Sequence, residues 1–315
     1  MSHFSVMVVG NNVESLLAPF HEFECTGKDD EFVVDVDSTE EVKGYADELK
    51  AEHDLPDEEA LKNALEYYGL ENRVISDESE VDKTGDHKFG YVIVMDGKLV
   101  KAISRTNPEK KWDWWVVGGR WADSLVIKGG GRGNQSTAGN IDFDKMESEA
   151  AKVAAKRYDK VIAARAANAD LWDRVLSLPS YEDIIKEVRK HNETADEGSK
   201  RNISDEYWSE DRRTLQDILR GQEVTDSFSD LREVMEIVTL NREEFIKKSS
   251  VGKWMTYALV QEGENGKPEW IARGKMGWFG MSTDETSKDE WIEKMTKHVR
   301  GLPSDTTITI VDCHI

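Results

Sequence analysis

The chain has 315 residues, with 63 Asp and Glu against 42 Lys and Arg and a formal net charge of −21; a chain this long buries a sizeable core without metal or disulfide support. Its two cysteines, Cys25 and Cys313, lie at opposite ends and form no framework of the secreted kind, and no stretch reaches the roughly 20 apolar residues that span a bilayer. A soluble cytoplasmic protein without membrane contact is therefore expected, and its charge argues against direct nucleic-acid binding because it repels phosphate backbones.

Residues 4–9, FSVMVV, are a short β-branched run closed by Gly10-Asn11-Asn12, which predicts a buried strand and a turn. The run HEFECTG follows at residues 21–27. His21 and Cys25, together with Cys313 and His314, are metal-ligand types, but no CxxC pair or HExxH helix accompanies them, so ordinary buried thiols and no metal are expected. The first 82 residues hold 23 acidic side chains against 5 basic ones, an asymmetry that fits either an acidic interaction surface or a merely solvated acidic face, the commoner case. The acidic contact set is expected at Asp29, Asp30, Glu31, Glu40, Glu41, Asp57, Glu58 and Glu59.

Residues 32–39, FVVDVDST, match the hhhhDxDxT opening motif of the haloacid-dehalogenase phosphotransferases. That resemblance implies Asp35 as nucleophile and Asp37 as acid/base. Such chemistry also needs a Lys and a later acidic pair for Mg²⁺, because charge at the transferring phosphorus must be neutralised, and no convincing pair is found. The local alternative is that Ser38 and Glu41 make a capping box for a helix opening at Thr39. Helices are predicted over residues 39–52 and 57–68, the second with Ala60, Leu61, Ala64, Leu65 and Tyr68 as its apolar stripe. Asp96-Gly97 between two β-rich arms, residues 89–95 and 99–104, predicts a hairpin with a primed two-residue turn.

The most distinctive segment is WDWWVVGGRW at residues 112–121, with four indoles in ten residues and a Gly-Gly pair that permits a sharp turn or bulge. Its readings are an aromatic core cluster or a ligand or interface site at Trp112, Trp114, Trp115, Arg120, Trp121 and Arg132, with Arg120 stacking on an indole or pairing with Asp113. A flexible stretch is expected over residues 129–140. Its GGGRG run lacks P-loop and dinucleotide spacing, although such glycines can form an anion nest.

Residues 145–248 read as helical, broken near Pro179, residues 196–198 and Gly221. Phe228, Leu231, Met235, Val238 and Phe245 are expected on one buried face of the last helix. Strands return at residues 254–261, 269–273 and 306–311, with a helix over 287–300 between the last two. Trp270, Gly277, Trp278, Phe279 and Gly280 give this part an aromatic and glycine texture like that of the WDWW segment, and the two clusters are expected to face each other. The expected fold class is α+β, a mixed sheet built from both chain ends with a largely helical insertion between them. The corresponding divisions are an acidic region at 1–140, a helical block at 141–250 and a ββαβ unit at 251–315.

WDWWVVGGRW, the opening SHFSVMVVG and HEFECTG resemble segments of largely uncharacterised proteins encoded by bacteriophages. In size and charge the chain is also similar to the Gabija anti-defence inhibitors. That resemblance implies a non-catalytic, homo-oligomeric protein in the host cytoplasm, without a cofactor, that wraps a bacterial nuclease complex and blocks its access to DNA. The charge gives an independent reason, since a DNA-binding nuclease presents Lys and Arg that dense carboxylates can engage. Two other classes stay open: a small-molecule or nucleotide binder using Trp114, Trp121 and Arg132, and an Asp-dependent phosphatase at Asp35 and Asp37.

Overall fold

The computed structural model describes residues 2–225, 231–276 and 282–315. It is an α+β protein whose mixed sheets draw on strands from both chain ends. Contacts divide it into two units, Met1–Ile141 with Met255–Ile315, and Asp142–Trp254.

The first unit opens with β1 (His3–Val9), whose Val6, Met7 and Val8 have no exposed surface. Asn12 then caps α1 (Val13–Leu17) by accepting from the Ser15 N–H, and α2 (Phe23–Thr26) stops at Gly27 in the left-handed region, φ +62°. β2 (Val34–Asp37) leads into the helical hairpin α3 (Thr39–His53) and α4 (Asp57–Tyr67). The capping box expected at Ser38 and Glu41 does not form. Ser38 is buried, with its hydroxyl near Ala102 O and Ser104, and Asp37 caps the Thr39 N–H instead. After β3 (Val74–Ile75), β4 (Gly90–Met95) and β5 (Lys98–Thr106) form the expected hairpin. Asp96 and Gly97 both have positive φ, 51° and 71°, as a type I′ turn requires.

β6 (Trp114–Val117), β7 (Leu125–Val126), β8 (Arg132–Gly133) and β9 (Gln135–Thr137) follow. The expected flexible stretch therefore contains two short strands, and its end is tied down where Gln135 donates to Thr309 at 2.8 Å.

The second unit is helical: α5 (Phe143–Ala167), α6 (Ala169–Leu176), α7 (Tyr181–Asn192), α8 (Ile203–Tyr207), α9 (Glu210–Gly221), α10 (Leu231–Thr239) and α11 (Arg242–Ser250). Trp172, Leu215, Leu219, Leu231 and Val234 make its buried centre. The last apolar stripe belongs to two helices, because Asn241 caps α11 and ends the run. Leu231, Val234 and Ile237 take the deepest positions, Met235 and Val238 are partly buried, and Phe228 lies outside the described residues.

Back in the first unit, β10 (Ala258–Glu262) begins later than expected, since Trp254 is packed in the helical unit with its Nε1–H donated to Glu147. β11 (Pro268–Ala272), β12 (Gly274–Met276), β13 (Ser282–Asp284), α12 (Lys288–Arg300) and β14 (Thr307–His314) complete the chain. The larger sheet runs β11-β10-β1-β14-β6, with β9 also on β14; β1 is parallel to β10, and every other pairing is antiparallel. The smaller sheet runs β2-β5-β4-β3. No helix among the described residues is long and apolar enough to cross a membrane.

Alternation divides the residues of β1 and β14 between two faces of the larger sheet. Phe4, Val6, Val8, Val311 and Cys313 pack with Leu17, Phe20 and Trp112 in one core. His3, Ser5, Asp312 and His314 belong to the other face, where Ser5 stands opposite Asp312 and His3 opposite His314.

Candidate functional site

The three segments that carry the phage resemblance meet in space. His21 of HEFECTG bridges Trp112 of WDWWVVGGRW, with the Glu22 N–H donated to Trp112 O at 2.6 Å and the Lys111 N–H to Phe20 O at 2.7 Å. His21 itself is fully buried, its ring nitrogens against Thr26 Oγ1 at 2.9 Å and Asp30 Oδ1 at 3.2 Å. It holds the loop together and shares no cluster with the cysteines. Cys25 is exposed, contrary to expectation, yet partial desolvation and a hydrogen bond to Glu22 push its thiol up to about 11. Cys313 is buried, and burial raises it further.

The four indoles of the motif do different things. Trp112 lies in the core, its Nε1–H donated to Leu17 O at 3.1 Å, and Trp115 packs against the same cluster, as does Trp270. The glycines and indole next to Trp270, at 277–280, lie outside the described residues. Trp121 closes a short 3-10 turn, and Trp114 is 42% exposed on the sheet's other face. The Gly-Gly pair has a steric reason. A Cβ on Gly119, at φ +51°, would sit 2.4 Å from Asp312 Oδ2, and one on Gly118, at φ +77°, would meet Asn134 at 2.6 Å. The turn thus closes over Asp312, which accepts the Arg120 backbone N–H at 3.0 Å. Asp113, expected to pair with Arg120, binds His314 instead. Arg132 is exposed on β8, donating to Asp123 O.

Across three strands, His3, His314 and Trp114 form one lateral row. Asp312 holds His3 Nδ1 at 2.9 Å, and Asp113 holds His314 Nδ1 at 2.7 Å. Trp114 stacks on His314 with 5.1 Å between centroids and meets His3 edge-on at 5.3 Å. The sequence signal for this row was weak, because His3 and Asp312 are 309 positions apart.

The expected acidic residues fall into two groups. Asp29 forms a double hydrogen bond with the buried Arg105, at 2.9 and 3.1 Å, and Asp30 is engaged with His21, the Phe32 N–H and Lys28. Both carboxylates serve the fold. Glu31 is exposed on the rim of a cavity. Glu40, Glu41, Asp57, Glu58 and Glu59 are exposed on the α3–α4 hairpin; Glu40 is paired with Lys43 and Asp57 with Lys50. Glu41, Glu58 and Glu59, and the further residues Asp47, Glu48 and Glu66, make no side-chain hydrogen bond or ion pair among the described residues. The same hairpin carries a tyrosine cluster that sequence reasoning missed apart from Tyr68. Tyr45 and Tyr67 lie 4.5 Å apart, Tyr67 and Tyr68 5.2 Å, and Tyr67 is 69% exposed. Burial, with Glu41 and Glu48 nearby, raises the Tyr68 hydroxyl above its usual range.

The phosphatase carboxylates are engaged as well. Although burial opposes it, Lys83 and Arg105 hold Asp35 below the usual carboxylate range, and the Thr39 hydroxyl and N–H do the same for Asp37. Among the described residues, no three His, Cys, Asp or Glu converge as a metal cage. A cavity of about 1140 Å³ opens beside Phe4, Phe20, Tyr257 and Trp270, with Lys111, Lys267 and Glu269 at its lip. None of the Trp or Arg residues first expected to form a ligand site lines it. No family model matches the chain, and neither a curated protein nor a solved structure matches it.

Proposed function

We propose that this is a non-catalytic binding protein of the phage anti-defence kind, whose α3–α4 hairpin occupies a basic, DNA-contacting surface of a host nuclease complex. The observation that carries this reading is the coincidence, on one helical hairpin, of unpaired carboxylates with three clustered tyrosines. Carboxylates steer and orient a cationic partner, while exposed aromatic side chains supply the contact area that sets affinity and can stack on Arg. Because Asp29 and Asp30 are engaged inside the fold, the reading rests on the hairpin carboxylates and not on those two.

The test is co-purification from host cells expressing the tagged protein, followed by affinity measurement at rising salt. A Lys- and Arg-rich partner whose binding weakens steeply with ionic strength is expected, as is its loss when Glu41, Glu48, Glu58 and Glu59 are changed to Gln. Binding that is indifferent to both would refute the reading. The cavity beside Trp270 favours a second reading, small-molecule sequestration. Mass spectrometry of ligands released from the purified protein tests it, and a blank result counts against it.

A further inference from the structure

We infer that His3 and His314 form a two-imidazole clamp for a divalent transition-metal ion of the imidazole-preferring kind, Zn²⁺, Ni²⁺ or Cu²⁺, with the remaining coordination positions open. Reciprocal hydrogen bonds between Ser2 and Ile315, at 3.0 and 3.1 Å, make that neighbouring pair the hydrogen-bonded one. His3 and His314 are therefore a non-hydrogen-bonded cross-strand pair, the kind whose side chains come closest. Their ring centroids are 5.0 Å apart.

Each ring gives its Nδ1 to a carboxylate, His3 to Asp312 and His314 to Asp113. An ionised carboxylate only accepts, so the proton sits on Nδ1 and the Nε2 lone pair is left for a ligand. This carboxylate-backed tautomer is the arrangement that orients metal-binding histidines. Neither Nε2 has a hydrogen-bond partner among the described residues, although the His314 side chain is only 6% exposed. An imidazole nitrogen that the protein itself leaves unbonded and that reaches solvent can be taken by a borderline cation. The stacked Trp114 covers one face of His314 and limits access from that direction. No third His, Cys, Asp or Glu completes a cage among the described residues, so water or an external donor takes the other positions.

The experiment is calorimetric titration of the metal-stripped full-length chain with Zn²⁺ and with Ni²⁺. One ion per chain is expected. Affinity should fall at least tenfold in His3→Ala and in His314→Ala, vanish in the double variant, and drop about 10-fold or more in Asp113→Asn. Nitrogen-15 imidazole spectra of the wild-type chain decide the matter even if a variant fails to fold. Zn²⁺ should shift the Nε2 resonances of two of the seven histidines. Unchanged binding in a folded double variant, or an imidazole spectrum that Zn²⁺ leaves unmoved, overturns the clamp.

Discussion

Carboxylates near residues 22–37 and those on the α3–α4 hairpin contribute to the same negative total but do opposite work. Glu24 accepts from Thr106 at 2.6 Å and from Lys110 at 2.9 Å, Asp29 and Asp35 share the buried Arg105, and Asp30 holds His21. These groups are neutralised locally and fasten loops to the strands. On the hairpin, Glu41, Asp47, Glu48, Glu58 and Glu59 face solvent without side-chain partners among the described residues. Net charge therefore measures neither cohesion nor recognition by itself. What separates the two is whether a donor from another segment of the chain reaches the carboxylate.

The Asp312 site extends the comparison to a carboxylate held by backbone geometry, and it should respond most strongly. Gly119→Ala would force a Cβ to 2.4 Å from Asp312 Oδ2 at a positive φ. Left-handed strain and overpacking together should cost about 2–4 kcal/mol of unfolding free energy in denaturant titration. Arg105→Ala should come next. It strands Asp29, leaves Asp35 to Lys83 alone and frees Lys88 O. Both carboxylates reach solvent, so the loss should be about 2–3 kcal/mol, under the ~3–5 of a fully buried pair. A loss below about 0.5 kcal/mol would mean that the 22–37 acids are as dispensable as those on the hairpin.

Acid titration separates the groups in another way. Despite partial burial, Lys110 and Thr106 hold Glu24 below its usual range. A lowered folded value means that this contribution is complete above the ordinary Glu value, about 4.3, and is lost as pH falls through the folded one. Glu24→Gln should accordingly flatten the stability loss below about pH 4.3, measured as denaturation midpoint against pH.

Much of the fold was legible because its signals are local. Asp96-Gly97 dictates a turn within two residues, and the stripe through Ala60, Ala64 and Leu65 shows within three helical turns. Both ends of the chain were expected in one sheet because residues 4–9 and 306–311 share the same β-branched texture, and β1 and β14 do pair along their length. The sites resisted for the opposite reason. Asp29 reads as a surface acid until Arg105, 76 positions later, is brought onto it, and His3 has no visible role until β14 returns beside it. Tyr67 lies off the apolar stripe of its helix, and only the antiparallel hairpin makes it a neighbour of Tyr45.

The smallest effect on stability is the most demanding check. Changing Glu41, Glu48, Glu58 and Glu59 together to Gln removes four charges that have no side-chain partner among the described residues. Glu41, Glu58 and Glu59 stand in the first turns of α3 and α4, where each favours the helix dipole by about 0.3–1 kcal/mol, and relief of self-repulsion offsets that loss. Denaturation should therefore give an unfolding free energy close to that of the unaltered chain, while the same protein loses its cationic partner in the pull-down. Tyr67→Ser should behave likewise, since that ring is 69% exposed and contributes little to the core. A drop of more than about 3 kcal/mol in the quadruple variant would show that these carboxylates also fasten the fold, because it exceeds what three acids in helix first turns supply through the helix dipole.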